Sequence, residues 1–318
     1  MTSSPAIAVS ALSKRFGEVQ AVDRLSFDVY AGEIFGLVGP DGAGKTTTLR
    51  MLSGVLGADA GSATIGGCDV VRDPERAKLL LSYMSQRFGL YEDLTVEENL
   101  RFYADLFGVS RRTRDTRSQE LLGAAGLADF RRRLAGNLSG GMKQKLGLVC
   151  ALIHTPKVLL LDEPTNGVDP VSRRDFWRIL YSLLAEGVAV LTSTSYLDEA
   201  ERCHRVGLLY RGRMLFCDRP EELKKKFPGE VLAVHSAEAE RVRKALEGAP
   251  GVRTTLLVGD HVHLFVDDSS RRLADLHSRL DSAGAPYTSL HPVGASIEDV
   301  FVSAVESEAA AAGAAKSS

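Results

Sequence analysis

Residues 34–46 read IFGLVGPDGAGKT. The apolar run Ile34 to Val38 predicts a short buried strand. It leads into Gly39-Pro40-Asp41-Gly42-Ala43-Gly44-Lys45-Thr46, which satisfies the pattern G-x-x-x-x-G-K-[ST]. The residues that follow, KTTTLRMLSGVL with Thr47 in the first turn, predict a helix. A glycine-rich turn between a strand and a helix aims backbone N–H groups and a helix N-terminus at anionic oxygens. Lys45 is then placed to pair with β and γ phosphates, and Thr46 to set its hydroxyl on Mg²⁺. The strand before and the helix after favour a phosphate site over a structural turn with an exposed lysine.

A magnesium triphosphate site needs further carboxylates. The apolar run Val158 to Leu161 ends in Asp162 and Glu163. Adjacent residues at a strand end project differently while staying near the phosphates, so Asp162 suits the metal and Glu163 the polarising of water. Alone, such a pair reads as a solvated turn; with the upstream loop it is the second half of a nucleotide site.

Outward from these motifs, the chain divides. Short apolar runs at 158–161 and 188–192, joined by the helical DPVSRRDFWRILYSLLAEG, have the βαβ rhythm of a buried parallel sheet. Between the two halves of the site, about residues 87–150 read as a charged, all-helical insertion. After Pro220, Lys224 to Gly229 make a basic joint. Beyond it the order strand, helix, strand, strand, helix, strand predicts a ferredoxin-like unit, whose hairpin turns at Gly259-Asp260. Ser296 and Asp299 predict a capped last helix. The expected domains are therefore 1–218, 219–305 and a disordered alanine-rich tail, 306–318. His261 and His263, alternating on one strand, read as solvated rather than as metal ligands.

The 318 residues are 44% hydrophobic with a formal net charge of -2, an ordinary globular balance that argues against coating nucleic acid with positive charge. With no run of about 18 apolar residues and no basic, then apolar, start, neither a membrane span nor a secretory signal is expected. Cys68, Cys150, Cys203 and Cys217 lack metal or disulfide spacing and read as reduced thiols.

Leu138-Ser139-Gly140-Gly141-Met142-Lys143-Gln144-Lys145 resembles the signature motif of ATP-binding cassette (ABC) ATPases, in its expected place between the phosphate loop and Asp162-Glu163. The resemblance covers about residues 5–218. It implies a mixed α/β sheet with a RecA-like core, ATP and Mg²⁺ as cofactors, and hydrolysis of ATP. It places Phe16 against adenine, Gln86 in the Q-loop with the metal or water, and Asp169 in the D-loop. It also implies that Leu138, Ser139, Gly140, Gly141 and Gln144 complete the site of a second cassette packed head to tail. Residues Arg87 to Tyr91 begin the surface that, in such proteins, meets a membrane subunit. The run SYMSQRFGLYEDLTVEENLRFYADL, with YLDEAERC and SIEDVFVSAV, resembles ABC-2 type exporter ATPases of the multidrug and antibiotic efflux group, held at the cytoplasmic face of the membrane.

One position departs from that family. Where a switch histidine is usual, this chain has Ser195, in Ser193-Thr194-Ser195-Tyr196-Leu197-Asp198-Glu199-Ala200. No histidine lies between His154 and His204, and His204 is expected in the helix that follows. A serine is a shorter, uncharged partner for a γ-phosphate, so the chain's own site is expected to turn over slowly. The resemblance is then to the histidine-less first cassette of tandem exporter ATPases, which favours a heterodimer with a complete cassette over a homodimer. Asp41, where asparagine is more usual, adds negative charge beside the phosphates. A regulatory nucleotide-binding cassette and a soluble ATPase acting on ribosomes or DNA are the competing readings; the single cassette without a coiled-coil insertion disfavours the latter.

Overall fold

A computed structural model describes residues 4–86 and 89–316. It consists of two compact units, Met1–Asp218 and Arg219–Ser318.

The first unit opens with an antiparallel hairpin, β1 (Ile7–Phe16) and β2 (Val19–Val29), and passes into β3 (Ile34–Val38), all of whose residues are buried. The glycine-rich turn delivers α1 (Lys45–Leu52). Next, β4 (Ala60–Ile65) and the short β5 (Cys68–Asp69) return to the hairpin and make the antiparallel sheet β2-β1-β4-β5. Helix α2 (Pro74–Leu80) leads to β6 (Leu81–Met84). A helical stretch follows: α3 (Val96–Leu106), started by the capping box of Thr95 and Glu98, then α4 (Arg111–Ala124) and α5 (Gly140–Leu152), capped by Ser139. The main sheet resumes with β7 (Val158–Asp162), α6 (Pro170–Leu184), β8 (Ala189–Thr194), α7 (Leu197–Ala200), β9 (Arg205–Tyr210) and β10 (Arg213–Asp218).

Its strand order is β10-β9-β3-β8-β7-β6, parallel except for the β9-β10 pair. Strands β3, β7 and β8 are buried along their whole length, as central strands of a parallel sheet covered on both faces are, and the polar ends of β7 (Asp162) and β8 (Thr192–Thr194) are buried with them. Because β8 sits between β3 and β7, three loops emerge side by side at the carboxyl ends of these strands: the phosphate loop, the one after Asp162, and the one after Thr194. That end of a parallel sheet is where such folds bind ligands.

The second unit begins with α8 (Pro220–Lys224) and then β11 (Glu230–His235), α9 (Ala239–Leu246), β12 (Val252–Val258), β13 (His261–Val266), α10 (Ser269–Ser282) and β14 (Ser289–Val293). The antiparallel order β12-β13-β11-β14 with both helices on one face is ferredoxin-like. Gly259, with φ +60°, supplies the positive dihedral at the tight turn between β12 and β13. Helix α11 (Ile297–Lys316) closes the chain. Ser296 and Asp299 form the capping box: Ser296 N donates to Asp299 Oδ2 at 2.7 Å, and Asp299 N to Ser296 Oγ at 3.1 Å.

Three expectations are corrected. Residues 306–316 are not a disordered tail but continue α11, because alanine extends an already capped helix without a new nucleation step; Glu306 also accepts from Thr254 Oγ1 of β12 at 2.8 Å. His263 is not solvated: it is buried, with Nδ1 2.8 Å from Asp299 Oδ1. His204 lies outside a helix, since α7 ends at Ala200, and its Nδ1 accepts from Ile34 N at 3.2 Å. Among the described residues, no helix is long and apolar enough to cross a membrane. All four cysteines are free thiols, and burial pushes Cys150 and Cys203 well up from the usual thiol range.

Candidate nucleotide-binding site

The turn after β3 is shaped by glycine where no side chain fits. Gly44 caps α1 at φ +104°, and a Cβ there would overlap the carbonyl oxygen of Ala21; one on Gly39 would overlap that of Leu209. The turn thus stays a bare backbone cradle, which is what a phosphate chain requires. Lys45 is held inside it. Its buried Nζ donates to Gly39 O at 2.7 Å and Pro40 O at 3.1 Å, and lies 3.1 Å from Glu163 Oε1. The ammonium is therefore centred on the loop, with a carboxylate as counter-charge.

Thr46 and Asp162 meet as well. Asp162 Oδ1 accepts from Thr46 Oγ1 at 2.9 Å and from Ser193 Oγ at 2.8 Å, and Oδ2 accepts from Tyr83 OH at 3.3 Å. Burial and the negative charge of Asp162 push the Tyr83 phenol up to about 12, so it stays a hydrogen-bond donor at neutral pH. Glu163 takes a left-handed backbone, φ 48°, rare for a residue with a side chain. Its N–H donates to Ser193 O at 3.2 Å and Ser193 Oγ at 3.1 Å, and its Oε2 accepts from Ser195 Oγ at 3.3 Å. Lys45, Thr46, Asp162, Glu163 and Ser195 are thus one connected set.

Lys45, Thr46 and Glu163 line a cleft of about 320 Å³, and Asp162 and Ser195 join them through hydrogen bonds to Thr46 and Glu163. Phe16, at the end of β1, lines it with 49% of its surface exposed, a surface ring rather than a core one, with Lys14 Nζ 5.6 Å from its centroid. Asp41, Gly42 and Ala43 line it from the loop, Thr47 from the first turn of α1, and Gln86 from just beyond β6. Of the surface expected to start at Arg87, Arg87 and Phe88 lie outside the described residues. Tyr91 is exposed and tied back by Asn99, whose Oδ1 accepts from Tyr91 N at 2.9 Å.

The signature residues stand at the start of α5. Leu138 is buried, while Ser139 and Gly140 are exposed and Gln144 half-buried. Ser139 Oγ accepts from Met142 N at 3.3 Å. Gly141 is packed so closely that a Cβ would collide with Ser172 of α6. Asp169 caps α6, accepting from Val171 N at 3.1 Å and Ser172 N at 2.9 Å, and those amides hold its carboxyl below the usual range.

Sequence reasoning missed Glu199. This buried carboxylate accepts from Thr165 Oγ1 at 2.6 Å, Trp177 Nε1 at 3.3 Å and Thr194 Oγ1 at 2.9 Å, with Arg173 Nε 3.5 Å away. It locks the loop after Glu163 to the end of β8, next to Ser195. The only sequence signal was an acid two residues into a four-residue helix, indistinguishable from a solvated one.

The residues fit ATP and Mg²⁺: a glycine-rich backbone cradle, a buried ammonium at its centre, an exposed ring at its mouth, and a hydroxyl and a carboxylate oxygen 2.9 Å apart for a hard cation.

Residues 22–166 match the ABC transporter family. Over 301 residues the chain is 43% identical to the probable multidrug ABC transporter ATP-binding protein YbhF of Escherichia coli (strain K12); the match covers 93% of this chain and 51% of YbhF, so the chain spans about half the length of that relative. It is 36% identical over 305 residues to the daunorubicin resistance ATP-binding protein DrrA2 of Streptomyces coeruleorubidus, covering 93% of this chain and 94% of DrrA2. A Nod factor export ATP-binding protein I of Burkholderia pseudomallei (strain 1710b) is 39% identical over 294 residues, covering 92% and 94%. Among solved structures, an ATP-binding subunit of an ABC transporter superposes with a TM-score of 0.65 at 30% identity, covering 70% of this chain and 93% of that one. An ABC transporter cassette in its ADP conformation shares the fold, with a TM-score of 0.63 at 24% identity, covering 69% and 93%. With matches of this identity along nearly the full length of DrrA2, and with the phosphate loop, Lys45 and Glu163 on one cleft and Asp162 bonded to Thr46, the chain belongs to the ATP-binding proteins of the ABC transporter family.

Proposed function

We propose that the chain binds and hydrolyses ATP as the motor subunit of an ABC-2 type exporter, working on the cytoplasmic face of a membrane through a separate membrane-spanning partner. The observation that carries this reading is the convergence of Lys45, Thr46 and Glu163 on one cleft, with Asp162 hydrogen-bonded to Thr46. Lys45 neutralises the β and γ phosphates, Phe16 stacks on adenine, and Thr46, Asp162 and Gln86 hold Mg²⁺. When bound, the cation supplies charge neutralisation across the phosphates. Glu163 orients the attacking water and takes up its proton. The relatives named for multidrug, daunorubicin and Nod factor export support the exporter class.

An apolar groove of about 550 Å³ supports a helical docking partner. It is lined by Leu79, Leu81, Tyr103, Leu106 and Phe107, and by Tyr83, whose hydroxyl touches Asp162. A membrane subunit seated there meets a side chain in direct contact with the metal-site carboxylate. Glu163 is retained but Ser195 replaces the switch histidine, so this site turns over slowly. The exposed start of α5 completes the site of a second cassette, a heterodimeric partner in preference to a second copy. YbhF, about twice as long as the match, is long enough to hold a second unit of this size. The observation that favours a purely regulatory cassette instead is Ser195.

Two measurements test the reading. Mg²⁺-dependent ATP binding by the purified chain is expected, lost in Lys45→Ala; retention of binding in that variant sinks the assigned site. Co-purification from solubilised membranes with a multi-span protein is expected; failure to bind any membrane protein sinks the transport role.

A further inference from the structure

The sheet of the second unit has two unlike faces. Toward α9 and α10 it presents Leu232, Val234, Val262, Leu264 and Leu290, all within one buried apolar cluster. Alternation puts the intervening residues on the other face. Four of them are histidines: His235 on β11, His261 and His263 on β13, and His291 on β14. The protein has seven histidines in all, so more than half share one face of one small sheet.

The register explains how they meet. His235 pairs directly with His261, while the small Ala233 faces both His263 and His291 and leaves room between the rings. Ring centroids lie 4.8 Å apart for His235 and His261, 5.0 Å for His261 and His263, and 5.8 Å for His235 and His291. Their surroundings divide them. His263 is buried and joined to Asp299 of α11. At the other end of the face His235 and His261 are only half-buried and His291 is exposed. There the turn adds a carboxylate: Asp260 Oδ1 lies 3.1 Å from His261 Nδ1. One ligand atom from each of His235, Asp260 and His261 lies within 4.8 Å of the others.

We propose that His235, His261 and Asp260 form a binding site for a divalent transition-metal ion of the zinc class. Two imidazoles and one carboxylate are a borderline donor set, suited to Zn²⁺ over the all-oxygen preference of Mg²⁺ or Ca²⁺. Tetrahedral bonds of about 2.0–2.1 Å put ligand atoms roughly 3.3 Å apart. Asp260 and His261 already stand at that separation. His235 closes the remainder by rotating its side chain, and Asp260, on a two-residue turn with 90% of its side chain exposed, is free to follow. Water or the neighbouring His291 fills the fourth position. The bound ion cross-links β11 to the tip of the β12-β13 hairpin through side chains, adding to the main-chain ladder. The site uses no residue of the nucleotide cleft and stands apart from the transport reading.

The test uses the full chain, with any affinity tag removed, stripped with a chelator and dialysed against zinc chloride without nucleotide. One Zn²⁺ per chain is expected by elemental analysis. His235→Ala and His261→Ala are each expected to weaken binding by about tenfold or more, while His277→Ala, whose ring bonds to Tyr287 OH at 2.7 Å outside the cluster, binds as before. Cobalt(II) is expected to give the intense visible absorption of a four-coordinate site in the unaltered chain, lost in the His235→Ala, His261→Ala double variant. Far-ultraviolet circular dichroism checks that the variants keep their fold. Zinc retained undiminished by the double variant places the ion elsewhere and overturns the proposal, as does an unaltered chain that retains none.

Discussion

Lys45 Nζ lies 3.1 Å from Glu163 Oε1, with both side chains buried at the floor of the cleft. The group proposed to grip the γ-phosphate and the group proposed to polarise water are thus each other's counter-ion. In Glu163→Gln, Lys45 loses its competing carboxylate, so ATP affinity is expected to rise by about threefold to tenfold while turnover falls by about 100-fold or more. Equilibrium binding and phosphate release measured on the same preparation check the pair of effects; an unchanged turnover would remove Glu163 from the reaction.

Ser195 Oγ reaches Glu163 Oε2 at 3.3 Å. Replacing it with histidine restores a longer, more basic partner at the same strand end. Ser195→His is expected to raise hydrolysis by about tenfold or more. Brisk hydrolysis by the unaltered chain, with no gain from the substitution, would show that the native site is not impaired.

Asp41 is exposed on the rim of the cleft. A carboxylate there repels the phosphates through solvent, a weak effect. Asp41→Asn is expected to tighten ATP binding by about twofold to fivefold, less at high salt, by isothermal titration at two ionic strengths.

Glu199 is saturated with donors in a buried pocket. Glu199→Gln turns an acceptor oxygen into an amide donor facing hydroxyls and a guanidinium. A loss of about 2–4 kcal/mol in urea unfolding is expected, with a drop in hydrolysis larger than the drop in ATP affinity. An unfolding midpoint equal to that of the unaltered chain would contradict the role assigned to it.

His154 stacks on Phe107, ring centroids 3.7 Å apart, and burial depresses its imidazole below the ordinary histidine range. A base with a lowered folded-state pKa binds fewer protons folded than unfolded. Stability is therefore full above the unfolded value, about 6.5, and declines as pH falls through that value toward the folded one. His154→Phe is expected to flatten this slope between pH 7.5 and pH 5.5. An identical slope in the variant would assign the pH dependence elsewhere.

The parts of the fold legible in the sequence were those in which local chemistry and pattern agree. The Gly39–Thr46 turn lies between an apolar strand and a helix; Gly39 and Gly44 occupy positions where the structure admits no Cβ, and Gly42 has a φ of +76°. The ferredoxin-like unit was legible because its apolar residues alternate and its central hairpin turns on Gly259-Asp260. What stayed hidden depends on partners distant in the chain. Nothing local distinguishes Glu199 from an exposed acid until Thr165 and Trp177 are brought to it. His263 looked solvated because the alternation of β13 cannot show that α11 returns to that face with Asp299. The alanine-rich end looked disordered because composition alone does not show that a capped helix leads into it.

The absence of a side chain at Gly141 has a mechanical meaning. It lets the start of α5 abut the start of α6, with Ser172 where a Cβ would stand. Close-packed surfaces have no slack, so a shift of α5 is passed at once to α6 and to Asp169 at its cap. The segment proposed to clamp a partner's nucleotide and the loop that begins the next helix thus share a pivot. Gly141→Ala would force the two apart, and the clamp and the loop would then respond to nucleotide out of step.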